Sequence, residues 1–148
     1  MSNTHEIPQL FEYPAVITLP VQWGDQDAFG HVNNTVPIRW FESSRIHYLQ
    51  QTGWPTLKIE ENLGPILVAI HCNYRLQLEF PDTVHIGARV ARVGNSSVTV
   101  QHLVYSQKHQ DTAAEGKSVI VFFDYGRQKP VRVPEDIRSA IERMEGKT

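Results

Sequence analysis

The chain lacks most marks of an exported, membrane-bound or nucleic-acid-binding protein. It has a single cysteine, Cys72, so no disulfide can close within it. A reducing, cytoplasmic setting is the expectation. No apolar run approaches the ~20 residues that span a bilayer, and the opening MSNTHEIPQLFEYP has no charged-then-apolar leader pattern. No membrane partner is therefore expected. The formal net charge is only −2, and no basic stripe gathers anywhere, so no nucleic-acid partner is expected either. Internal repeats and low-complexity blocks are absent. What remains is an ordinary globular composition, 41% hydrophobic over 148 residues, which suits one domain spanning 1–148.

Hydrophobic periodicity divides that domain. Residues 1–13 read as a loose arm. Then Ala15, Ile17, Leu19, Val21 and Trp23 alternate with Val16, Thr18, Pro20 and Gln22, the period of a strand. Pro20 cannot donate to a ladder, which predicts a sheet edge or a bulge. The period then changes. Asn33 or Asn34 can cap a helix, and Pro37 fits its first turn, where the missing N–H is not needed. Pro37, Phe41, Ser44 and Tyr48 form one helical row, with Ile38, Arg45 and Leu49 beside it and Trp40 widening the arc. Gly53 suits the left-handed position that ends such a helix.

Past a loop at 53–65, strands are predicted at 66–78, 84–90, 98–104 and 118–123. The last, SVIVFF, is apolar on both faces and so central. A short helix over 134–145 carries the stripe Ile137, Ile141, Met144. Successive strands joined by short turns are expected to pair antiparallel. The fold class is α+β, one antiparallel sheet of about five strands with a long helix on it. Apolar residues left on the other sheet face predict a homo-oligomer.

Between the first strand and the helix stands DQDAFGHVNN, residues 25–34. Asp25 and Asp27 are two apart and can point the same way. Gly30 turns the chain into the helix N-terminus, whose free amides attract anions. A carboxylate beside oxyanion donors suits attack on a carbonyl. Three other readings stand beside it. Asp, Gly and Asn are what any capped strand-to-helix turn uses. Asp25, Asp27 and His31 could hold a metal, although the calcium-loop spacing is absent and no second His or Cys stands nearby. A Ser or Cys nucleophile lacks its G-x-S-x-G setting, and Cys72 falls in an apolar strand row.

The stretch VQWGDQDAFGHVNNTVPIRWFESSR resembles the opening motif of the hotdog-fold, 4-hydroxybenzoyl-CoA thioesterase-like family. Trp23, Asp25, Asp27, Gly30, His31, Val32, Asn33 and Asn34 match it, followed by Trp40-Phe41-Glu42 and Arg45. The resemblance implies a long helix wrapped by a curved antiparallel sheet, and an acyl-CoA thioesterase with no metal and no cofactor. It assigns the catalytic carboxylate to Asp27 and the carbonyl-polarising backbone amide to Asn34. His31 and Asn33 would shape the site, with Gly30 and Asp25 bracing the loop. Glu42 and Arg45 are as well explained by a helix-spaced ion pair.

It also implies a homodimer or homotetramer whose active site forms across subunits, with His71 and Asn73 as candidates from the partner's strand. Family members often hold the carrier's phosphates with basic residues near a later turn. Here that turn is Gly94-Asn95-Ser96-Ser97 after Arg92. Arg92, Ser96 and Ser97 are the phosphate candidates, with Arg89 or Lys117 elsewhere. The departure leaves the carrier open between coenzyme A and acyl carrier protein. A hotdog dehydratase lacks its H-F-P-type motif here. A non-catalytic acyl-thioester-binding protein is the other class. Acyl-pocket walls would come from Trp40, Phe41, Tyr48 and Trp54, which are equally ordinary core residues.

Overall fold

The computed structural model describes residues 4–54 and 62–146. The elements are β1 (Ala15–Pro20), α1 (Thr35–Gln51), β2 (Leu63–Tyr74), β3 (Thr83–Val93), β4 (Ser97–Ser106), β5 (Asp111–Asp124), β6 (Lys129–Pro130) and α2 (Glu135–Met144). One antiparallel sheet runs β1-β3-β4-β5-β2, with the two-residue β6 added beside β5. This is the α+β hotdog architecture. Pro20 ends an edge strand, as its missing donor requires. The two-sided apolar run 118–123 lies in β5, between β4 and β2.

Three expectations are corrected. First, β2 does not pair with β3. It crosses to the far edge and pairs with β5, from Leu63↔Asp124 to Tyr74↔Ala114. The predicted strand to Leu78 stops at Tyr74, because the Arg75 and Leu76 amides both turn onto the Ala113 carbonyl, at 2.8 and 3.1 Å. Residues 75–82 then carry the chain across, too long a connection for a hairpin. Second, β1 stops at Pro20, so Trp23 is not on its inner face. It sits on a 3₁₀ turn and is 73% exposed. Third, the N-terminal arm is packed from Ile7 onward. Ile7 and Leu10 are buried against Leu103, with Tyr13, Val16 and Tyr105 around them. They cover part of the outer sheet face expected to stay open. Most of the predicted loop at 53–65, residues 55–61, lies outside the described residues, as do positions 1–3 of the arm.

Helix α1 follows its sequence pattern. Val36, Pro37, Trp40, Phe41, Ser44, Arg45, Tyr48 and Leu49 are buried, against β3, β1 and β4. Its end is a Schellman turn: Gly53 N–H donates to Gln50 O and Trp54 N–H to Leu49 O, with Gly53 at φ +94°. Helix α2 buries Ile137 and Ile141 against the same cluster as Tyr48, Leu49 and Trp54. The core has a second apolar cluster around Trp40, Phe41, Val84 and Ile86. Among the described residues, no helix is long and apolar enough to cross a membrane.

Candidate active site

The loop between β1 and α1 is sewn to the body by its backbone. Val21 N–H donates to Asp82 O at 2.9 Å, Asp27 N–H to His31 O at 2.8 Å, and Val32 N–H to Leu78 O at 2.7 Å. Gly30 sits at φ +82°, a conformation that side chains with a Cβ rarely adopt. The Gly30 amide donates to Asp27 O at 3.1 Å.

The two aspartates part company. Asp25 is buried on its 3₁₀ turn, accepts from Gln22 N–H at 2.8 Å, and lies 3.8 Å from the Arg39 guanidinium. It borders a shallow hollow with Arg39 and Trp40, away from Asp27. A metal held by Asp25, Asp27 and His31 together does not fit this arrangement. Asp27 accepts from Phe29 N–H with Oδ1 at 2.9 Å. Among the described residues, Oδ2 has no partner.

Asn33 performs the capping predicted for Asn33 or Asn34. Its Oδ1 accepts the Thr35 amide at 2.9 Å and the Thr35 hydroxyl at 2.8 Å, and its carbonyl accepts Val36 N–H at 2.9 Å. Pro37 has no N–H. The positive end of α1 is thus emptied of early donors. Among the described residues, the Asn34 N–H is left unclaimed there.

Asp27, His31 and Asn34 line one cleft of about 400 Å³. Its polar margin adds Tyr74, Arg75 and Gln77, and its apolar wall is Val32, Pro37, Leu76, Leu78 and the alanines at 113 and 114. The crossover that breaks sequential strand pairing is what supplies this second wall. Tyr74 and Arg75 are the residues sequence reasoning missed. The alternating row through Leu78 read Tyr74 as one more strand position. No local signal marks them, because only the pairing of β2 with β5 brings these residues to the start of α1.

The other candidates lie elsewhere. Arg92 borders a separate hollow against α2, with Arg138 and Glu142. Ser97 O accepts Gly94 N–H and Ser96 O accepts Phe122 N–H, both at 2.8 Å, at the β3–β4 hairpin. That hairpin and the Asp27 loop stand at opposite ends of β3, about 30 Å apart at ~3.3 Å per residue. Within one chain, Arg92, Ser96 and Ser97 do not join the cleft. His71, Asn73, Arg89 and Lys117 share a third depression, where Arg89 is paired with Glu12 at 2.7 Å. Arg45 is buried beside Glu42, 3.6 Å away. Of the expected pocket walls, Trp40, Phe41, Tyr48 and Trp54 are buried core and none borders the cleft. Burial pushes the Cys72 thiol up, away from the thiolate a nucleophile needs.

Residues 21–141 match the sequence profile of the Thioesterase-like superfamily. The chain belongs to that superfamily. A thioesterase of Thermus thermophilus, solved with coenzyme A and zinc, superposes with a TM-score of 0.81 at 30% identity, covering 93% of this chain and 98% of that one. The acyl-CoA thioesterase YbgC of Haemophilus influenzae is 23% identical over 84% of this chain and 91% of its own. The chloroplast acyl-acyl carrier protein thioesterase ATL3 of Arabidopsis thaliana is 24% identical over 94% of this chain and 68% of its own. Membership makes this superfamily chain an enzyme of thioester hydrolysis, and the cleft is where a carboxylate and a free helix-end amide meet.

Proposed function

We propose that this thioesterase-like chain hydrolyses acyl-coenzyme A, with Asp27 as the reacting carboxylate and the Asn34 amide as oxyanion donor. The observation that carries the reading is that one cleft holds both an Asp27 oxygen and a helix-start amide, that of Asn34, neither of which has a partner among the described residues. The thioester carbonyl lies against Val32, Pro37 and Leu78 with its oxygen on the Asn34 N–H. Asp27 takes a proton from the attacking water, or attacks the carbon itself and is released by water from the resulting anhydride. The C–S bond breaks, the acid leaves as carboxylate, and the thiolate is protonated. Charge growing on the carbonyl oxygen strengthens the amide bond in the transition state, which is where catalysis is gained.

The partner reading is a homodimer. Strand β2 is a long edge strand with Leu67 and Val68 exposed, the surface that invites a second copy. From a neighbouring protomer, Arg92, Ser96 and Ser97 can serve a phosphate that they do not reach within one chain. A pantetheine arm on acyl carrier protein presents the same thioester, and the likeness to the Arabidopsis protein favours including it as a substrate.

The test is thiol release from short, long and aromatic acyl-CoAs and one acyl carrier protein. Asp27→Asn is expected to lose about a hundredfold or more in kcat while keeping the fold. In 18O water, label found in the Asp27 carboxylate after a single turnover identifies it as the nucleophile, because a general base leaves all of the label in the released acid. Acyl-CoA binding without any turnover would instead make the chain a non-catalytic binder.

A further inference from the structure

The cleft has two walls from distant parts of the chain, joined by one side-chain bond. Tyr74, the last residue of β2, donates its hydroxyl to the carbonyl of Asn34 across a separation of 40 residues. Tyr74 also lines the cleft.

The Asn34 backbone is held from both sides. The peptide that carries its N–H has its carbonyl, that of Asn33, tied to Val36 N–H at 2.9 Å. The next peptide is tied by Tyr74. Asn34 lies at φ −59°, ψ −20°, so its N–H runs with the helix axis and out of the helix start. Tyr74 itself is fixed by β2–β5 pairing and by the double turn of Arg75 and Leu76 onto Ala113. Arg75, Leu76 and Leu78 of the opposite wall follow it directly in sequence.

We propose that Tyr74 is a positioning residue for the thioesterase site: its hydroxyl holds the start of α1 against the end of β2, aiming the Asn34 N–H and fixing the gap across which the carbonyl must sit. This rests on the reading of Asn34 as the oxyanion donor. Half of Tyr74 is exposed, so its hydroxyl is not needed to satisfy a buried cavity. A merely structural tyrosine here would affect stability first, whereas a positioning one affects the rate first. Displacing a reacting group by about 1 Å can cost on the order of a hundredfold in rate.

The test is Tyr74→Phe in the full chain, which keeps the ring and removes the hydroxyl. Four readouts are taken: kcat, KM, melting temperature, and the backbone amide spectrum. Expected are a kcat lower by about ten- to a hundredfold, KM within about threefold, and a nearly unchanged melting temperature. The Thr35 amide nitrogen, whose peptide loses the Tyr74 bond at its carbonyl, should shift together with Asn34. An unchanged kcat overturns the proposal. So does a kcat that falls only in step with melting temperature and widespread spectral change. If the wild type turns over no thioester, the proposed function fails on its own, and the amide spectrum still decides. Shifts confined to Asn34 and Thr35 support the Tyr74 hold on the helix start, and their absence overturns it.

Discussion

At the residue scale, the buried polar layer of the core makes the sharpest prediction. His102 on β4 is buried between the two apolar clusters, stacked on Phe41 at 4.6 Å with Nε2 2.9 Å from Ser118 Oγ. Burial, and then the Arg45 charge, push its pKa down to about 3 from 6.5. Unfolded, the ring takes a proton below pH 6.5, and folded it does not until about pH 3. Its contribution is therefore full above pH 6.5 and is lost as pH falls toward 3, at up to about 1.4 kcal/mol per pH unit. Urea midpoints should drop between pH 7 and pH 5, and His102→Asn should flatten that slope. A wild-type midpoint constant over this range would contradict the buried neutral ring. At the same scale, the Asp27, His31 and Asn34 grouping was legible because motif residues within eight positions share one loop. Tyr74 was not, because only the path of β2 across the sheet brings residue 74 to residue 34.

At the element scale, α2 does more than its apolar stripe suggests. Glu145, just past its end, accepts the Tyr48 hydroxyl at 2.6 Å and the Val90 amide at 2.9 Å. Tyr48 is fully buried on α1, and Val90 borders a register shift in β3. One carboxylate thus ties both helices to the sheet. Glu145→Ala leaves a buried hydroxyl unpaired and should cost about 2 kcal/mol in urea unfolding, with turnover per folded molecule unchanged. The stripe Ile137, Ile141, Met144 made the helix readable, while the Glu145 anchor was not, since its partners lie 97 and 55 residues away. The N-terminal arm shows the converse. Polar and proline-bearing, it read as loose, yet Tyr13 packs directly over Gly87, where a Cβ would come within 2.7 Å of the ring.

At the scale of the whole molecule, the question is where a second copy would sit. The arm covers Leu103 on the outer sheet face, leaving exposed apolar surface at Leu67 and Val68 on the β2 edge. A register shift between Leu67 and Ala69 turns Val68 outward there. Light scattering should give twice the 16.9 kDa chain mass, and Val68→Lys should shift the population to monomer and lower turnover with it. A wild type that runs as a monomer at micromolar concentration would rule out this edge as a stable interface.

The sequence by itself determined the elements and the chemistry of one loop. Period-two and helical rows place apolar faces locally, and Gly30, Asn33, Pro37 and Gly53 act through their own backbone geometry, so neighbouring residues suffice to read them. Only the tertiary structure decided which strands meet. The crossing of β2 to β5 depends on long-range burial rather than on any turn residue, and it sets Tyr74 and the Arg75–Leu78 wall against the helix start. The same folding turned Asp25 away from Asp27, because the 3₁₀ turn at 23–25 breaks the two-residue alternation that would have kept them on one face.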